Sequence, residues 1–122
     1  MSVMTALSLI GLDCFPHNSG TTLIESLYMG VPFVTLAARP SVGRIGSMML
    51  AGAGHDEWIA DSEDDYIDKA VALASDLEQL ARIRAGLRGE LEAGPWRDEA
   101  GFARRVEQAY REMWRRWCAD EA

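Results

Sequence analysis

Gly11-Leu12-Asp13-Cys14-Phe15-Pro16-His17-Asn18-Ser19-Gly20-Thr21-Thr22-Leu23-Ile24-Glu25-Ser26-Leu27-Tyr28-Met29-Gly30, followed by Val31-Pro32-Phe33-Val34-Thr35-Leu36, is the stretch from which the fold is read. Its first six residues form a short strand running into a turn that ends at Pro16. Pro16 to Gly20 is turn chemistry throughout. Thr21 to Gly30 then reads as a helix with Thr at its start and Gly at its end. Val31 to Leu36 is β-branched and aromatic, with a Pro at its opening where a missing N–H is harmless, as expected of a buried parallel strand. Strand, turn, helix and strand make one βαβ unit, and an α/β fold with a short parallel sheet follows.

Outward from this unit the alternation continues. After the loop Ala37 to Ser41, residues Val42 to Leu50 look helical, Gly52 to Gly54 break the pattern, and Glu57 to Ala60 offers another short strand. Ser62 caps a helix with an acidic start, Asp65 standing three residues on. Ile67, Val71 and Ala74 give that helix one apolar face. Asp76 opens a further helix carrying Leu77, Leu80, Ile83 and Leu87, closed by Gly94-Pro95. Ala100 to Cys118 forms a last helix with Phe102, Val106, Tyr110, Met113, Trp114 and Trp117 at three- and four-residue spacings. Upstream, Met4 to Ile10 carries apolar residues at helical and strand spacings alike.

The bulk properties narrow the class. A chain of 122 residues holds about one domain, taken as residues 1–122, and one modest core. A hydrophobic share of 48% with 25% charged residues is that of an ordinary folded domain. A net charge of −7 argues against a nucleic-acid surface, which needs clustered Lys and Arg. Cys14 and Cys118 have neither CxxC spacing nor a nearby His, so reduced, isolated thiols are expected. The opening residues lack a basic segment and a cleavage site, and no apolar run approaches the roughly 20 residues that span a bilayer. The expected location is the cytoplasm, with no membrane partner.

The densest group of chemistry-bearing residues is His17 to Thr22. A helix N-terminus presents unpaired amides and about half a positive charge, which suits a phosphate. Gly20 lets the backbone approach, and the Thr21 and Thr22 hydroxyls can donate. Glu25, one turn on, can accept from the two hydroxyls of a ribose whose diphosphate sits on the turn. The competing reading is that Ser19, Thr21 and Thr22 only cap the helix while Glu25 faces solvent.

Asp13-Cys14-Phe15-Pro16, Gly20-Thr21-Thr22, the run Glu25 to Pro32 and Val34-Thr35 together resemble the O-linked N-acetylglucosamine transferase and SPINDLY family, the SPINDLY-like branch most closely. The likeness continues through Arg44, Asp64 to Tyr66, Ala74-Ser75-Asp76-Leu77 and Tyr110 to Trp114. It implies a partial Rossmann-like fold, the C-terminal half of a GT-B arrangement in which two domains face each other. It also implies a nucleotide-sugar donor, UDP-N-acetylglucosamine or GDP-fucose, whose sugar passes with inversion to Ser or Thr of a protein acceptor, with no obligatory metal and no cofactor. On matched positions, Gly20, Thr21 and Thr22 hold the diphosphate and Glu25 binds the ribose. A His stands at the position of Gly20 in the transferase branch, and the glycine agrees with SPINDLY-like proteins.

Arg44 is a weaker candidate, for a phosphate contact or for support of the loop above it. His17 has no matched role, and His55, on a probable turn, is read as a polar surface residue. No catalytic residue is assigned. The resemblance further implies that the preceding strands and the N-terminal catalytic domain lie outside this chain, so that it is inactive alone. The final apolar stripe resembles the family's terminal helix, which packs partly on the other domain. Two readings stand for it: closure of the chain's own core, or an exposed face inviting self-association or a protein partner. A non-enzymatic interaction module is the alternative function. A receiver-like domain is not supported, because Asp13 alone does not make the acidic cluster that such a site needs.

Overall fold

Three short strands run parallel in the order β1-β2-β3. They are β1 (Gly11–Leu12), β2 (Phe33–Leu36) and β3 (Ile59–Ala60). Gly11 stands opposite Phe33 and Leu12 opposite Val34, while Thr35 stands opposite Ile59 and Leu36 opposite Ala60. The computed structural model describes residues 9–38 and 41–120. Most of the Met4 to Ile10 stretch, and Arg39 and Pro40 of the following loop, lie outside the described residues.

Parallel pairing requires crossovers, and helices supply them. Helix α1 (Thr21–Tyr28) joins β1 to β2; α2 (Ile45–Ala53) and a 3-10 turn, Asp56–Trp58, join β2 to β3. The α/β class and the short parallel sheet are therefore as expected. β1 is shorter than the expected six residues, although the Asp13 N–H still donates to Val34 O at 3.0 Å. Beyond it the side chain of Asp13 turns inward and the chain leaves the sheet. Pro32 precedes β2, and its carbonyl accepts from the Gly11 N–H at 2.7 Å. Phe33, Val34 and Thr35 are all buried, as a central strand covered on both faces must be.

The core gathers Leu23 and Leu27 of α1, Phe33, Met49 and Leu50 of α2, Trp58, and Leu87 and Leu91. Helix α2 starts and ends three residues later than the spacing predicts. Gly52 lies inside it, where a Cβ would meet the Trp96 indole at 2.7 Å, and only Gly54, at φ 83°, ends it. Helix α3 (Glu63–Ser75) is capped by Ser62 Oγ, which accepts the Asp65 N–H at 3.2 Å. Its expected apolar face is a correction: Ile67, Val71 and Ala74 face solvent, and Asp65, Tyr66, Lys69, Ala70 and Leu73 are the half-buried residues. Tyr66 sets this rotation, its hydroxyl donating to Asp13 O at 2.9 Å and its ring meeting Phe15 edge to face at 5.4 Å.

Helix α4 (Leu77–Ala93) places Leu80, Leu87 and Leu91 in the core and leaves Leu77 exposed. It is tied to the end of α1 by Arg88, whose Nε donates to Tyr28 O at 2.8 Å and whose guanidinium lies over the Tyr28 ring. Helix α5 (Glu99–Asp120) is held at its first turn, where Asp98 accepts the Gly101 N–H at 2.8 Å. From Glu107 to Ala119 every residue is exposed, and Phe102, Tyr110, Met113, Trp114 and Trp117 are each between 54% and 66% accessible. The stripe on this helix does not close the chain's own core, because that core is already filled by α1, α2 and α4.

Candidate functional site

The connection from β1 to α1 is pinned from inside. Asp13 is 2% exposed; its Oδ1 accepts the Ser19 N–H at 2.8 Å and its Oδ2 accepts the Thr35 hydroxyl of β2 at 2.7 Å. Asn18, also 2% exposed, donates from Nδ2 to Cys14 O at 3.0 Å and accepts the Gly46 N–H on Oδ1 at 3.3 Å. Its own N–H donates to Val42 O at 3.0 Å. Among the described residues no buried side-chain polar atom lacks a partner, so the loop is satisfied inwardly and presents its remaining groups outward.

Those remaining groups lie at the start of α1. Gly20 is the N-cap, and no side chain caps the helix. The capping reading of Ser19, Thr21 and Thr22 therefore does not hold: the Ser19 hydroxyl stands 3.6 Å from Cys14 Sγ, and neither threonine hydroxyl is engaged among the described residues. The first bonded amide is that of Leu23, which donates to Gly20 O at 2.9 Å. The amides of Gly20, Thr21 and Thr22 donate to no described residue, and all three residues are exposed. Three donors without a partner among the described residues and the positive end of the helix dipole thus lie within one turn of each other on exposed residues.

Glu25 lies one turn along the same helix, half-buried, with its carbonyl accepting the Met29 N–H at 2.9 Å and its carboxylate without a partner among the described residues. It lines a cavity of about 250 Å³ with Ile24, Tyr28, Leu91, Trp96 and Arg97. Arg97 is committed elsewhere, its Nε donating to Glu99 Oε1 at 3.0 Å, which leaves the Glu25 carboxylate available. Arg44 stands at the N-cap of α2, exposed, with Nε donating to Ala38 O at 3.1 Å. Of its two readings, loop support is the one with a bond behind it. His17 is exposed, and its carbonyl accepts from the Cys14 thiol.

The supporting residues escaped sequence reasoning. Asn18, Thr35, Gly46 and Tyr66 carry the loop, yet their partners lie 4 to 53 positions away. The available signal was a polar residue at the end of each apolar strand, Asp13 after β1 and Thr35 within β2. Burial, then the nearby Asp13 and Cys14 charges, raise the Tyr66 phenol above 10.0 and keep it a donor to Asp13 O. His55 is a correction: it is stacked on Trp58 at 4.0 Å, and its ring nitrogens meet Glu57 at 2.8 Å and Glu90 at 2.9 Å, with its side chain only 16% exposed. No group of three or more metal-binding side chains occurs among the described residues.

With this geometry in view, the comparisons decide the family. The model of glycosyl transferase family 41 matches residues 4–96. The chain belongs to that family. It is 43% identical over 117 residues to the probable UDP-N-acetylglucosamine–peptide N-acetylglucosaminyltransferase SPINDLY of Solanum lycopersicum, covering 94% of this chain and 13% of that protein. It is 33% identical over 110 residues to the probable UDP-N-acetylglucosamine–peptide N-acetylglucosaminyltransferase SEC of Arabidopsis thaliana, covering 88% of this chain and 11% of the other. A solved mutant of the Thermobaculum terrenum O-GlcNAc transferase superimposes with a TM-score of 0.85 at 40% identity, over 93% of this chain and 22% of that one. This family 41 chain thus spans about an eighth of the SPINDLY relative that it matches. No helix among its described residues is long and apolar enough to cross a membrane.

Proposed function

We propose that this chain is the donor-binding part of an inverting protein O-glycosyltransferase. Gly20, Thr21 and Thr22 hold the diphosphate of a nucleotide sugar, UDP-N-acetylglucosamine or GDP-fucose, and Glu25 binds the ribose. The longer protein passes GlcNAc or fucose to Ser or Thr of an acceptor protein. The observation that carries this is the set of three amides on exposed residues at the start of α1 that have no partner among the described residues, with a carboxylate equally without one a turn away. The diphosphate is the leaving group, so donors fixed where its charge develops assist departure as well as binding. Among the described residues about the site none is a positioned base for an acceptor hydroxyl, and the exposed His17 ring has no orienting partner among them. The 122 residues alone therefore bind donor without transferring it. The free, exposed thiols of Cys14 and Cys118 suit a reducing compartment, and we place the chain in the cytoplasm.

Calorimetric titration with UDP, GDP and uridine tests this. Both diphosphates are expected to bind and uridine to bind far more weakly, with Thr22→Val and Glu25→Ala each weakening UDP by about three- to tenfold. Uridine binding as tightly as UDP would remove the diphosphate from the account.

A second reading has its own observation, the exposed aromatic stripe of α5. An apolar face of that size suits self-association or a protein partner. Light scattering on Trp114→Ala with Trp117→Ala discriminates: a parent that is monomeric and as soluble as the double variant leaves this reading without support.

A further inference from the structure

Two helices begin beside the same loop, and their N-termini are treated differently. That of α2 is engaged from inside at Gly46: its N–H donates to Asn18 Oδ1, and a Cβ there would lie 2.5 Å from Asp13 Oδ2. That of α1 is open. Asp13 stands between them. One oxygen takes the Ser19 N–H, the amide immediately before the three free ones, and the other takes the Thr35 hydroxyl from the central strand. The carboxylate has no ion-pair partner among the described residues, so the amide, the hydroxyl and the α2 dipole stabilise its charge.

We infer that Asp13, braced by Thr35, is a positioning residue for the donor diphosphate. It fixes the chain at Ser19, and the amides of Gly20, Thr21 and Thr22 converge on one anion because of it, although Asp13 itself touches no substrate. Charge gives the arrangement a second consequence. A buried carboxylate behind an anion site would repel the ligand, and the α2 N-terminus, brought against Asp13 by the missing Cβ of Gly46, offsets that repulsion. The inference rests on the donor-binding reading above.

The test has two arms on the 122-residue chain. Without ligand, the Ser19 amide is expected to exchange slowly with solvent deuterium in the parent and in Thr35→Ser, and rapidly in Asp13→Ala; rapid exchange in the parent overturns the strut. With ligand, Thr35→Val and Asp13→Asn are expected to weaken UDP and GDP about tenfold, the effect of one charge-assisted hydrogen bond, while Thr35→Ser binds like the parent. Unchanged Leu87 and Leu91 amide resonances, remote in sequence from both substitutions and buried in the core, identify variants that keep the fold. Variants that keep it and bind with parental affinity overturn the role of Asp13. A parent that binds neither nucleotide removes instead the donor reading on which that role rests.

Discussion

Gly46→Ala should be strongly damaging for the addition of a single methyl group. The added Cβ would fall on Thr35 Oγ1 and lie 2.5 Å from Asp13 Oδ2, both held by the bond between them. Overpacking of a filled interior costs about 1–3 kcal/mol, and breaking one bond of a buried carboxylate costs about another 1–3 kcal/mol. Against this, Ala in a helix is better than Gly by about 1 kcal/mol. The net is a loss of about 3 kcal/mol, a large part of the stability of a small domain. Gly89→Ala is the matched control, since Gly89 also lies within a helix but has nothing within 4 Å of the new methyl. Urea unfolding reads both: with a slope of about 2 kcal/mol/M, Gly46→Ala lowers the midpoint by about 1.5 M and Gly89→Ala raises it slightly. If the two variants shift the midpoint in the same direction, the packing argument around Asp13 is refuted.

Three further outcomes are expected. Phe33→Ala, in the fully buried central strand, should lose about 3–5 kcal/mol in the same unfolding assay. The Tyr66 phenol is raised above 10.0 by burial first and by Asp13 and Cys14 next, so its contribution is complete below pH 10.0 and lost as pH rises through the raised value; Tyr66→Phe should flatten that alkaline limb in a thermal-melt series. Asp98 is held below 3.8 by the Gly101 amide first and Arg105 next, so its cap on α5 persists above pH 3.8 and fails as pH falls through the lowered value; amide exchange at Gly101 should accelerate there, and in Asp98→Ala already at neutral pH.

The sequence made the β1-α1-β2 unit legible because its signals are local: turn residues after an apolar strand, then a helix, then a β-branched run. The open amides belong to that same local pattern, which is why Gly20, Thr21, Thr22 and Glu25 were identifiable as a group. What supports them was not, because Asp13 to Thr35 spans 22 positions and Asn18 to Gly46 spans 28. The buried side of α3 was missed for a related reason. Ile67, Val71 and Ala74 make an apolar row, but Tyr66 is anchored to Asp13 O, and one tertiary bond turns that row outward. His55 looked like a turn residue, and its two carboxylate partners, one of them on α4, appear only when the helices are packed. In α5 the periodicity was correct but left two destinations open, the chain's own core or an exposed face, and the exposed face is the one observed, since periodicity marks an apolar face without saying what covers it.

Everything proposed for this chain requires that a pyrophosphate group settle on the backbone at the head of α1. Two-dimensional amide resonance mapping of the chain during addition of UDP, and separately of uridine, tests it most directly. Gly20, Thr21 and Thr22 are expected to move first with UDP and to stay in place with uridine. Displacements centred on any other part of the surface, or none at millimolar UDP, would contradict it.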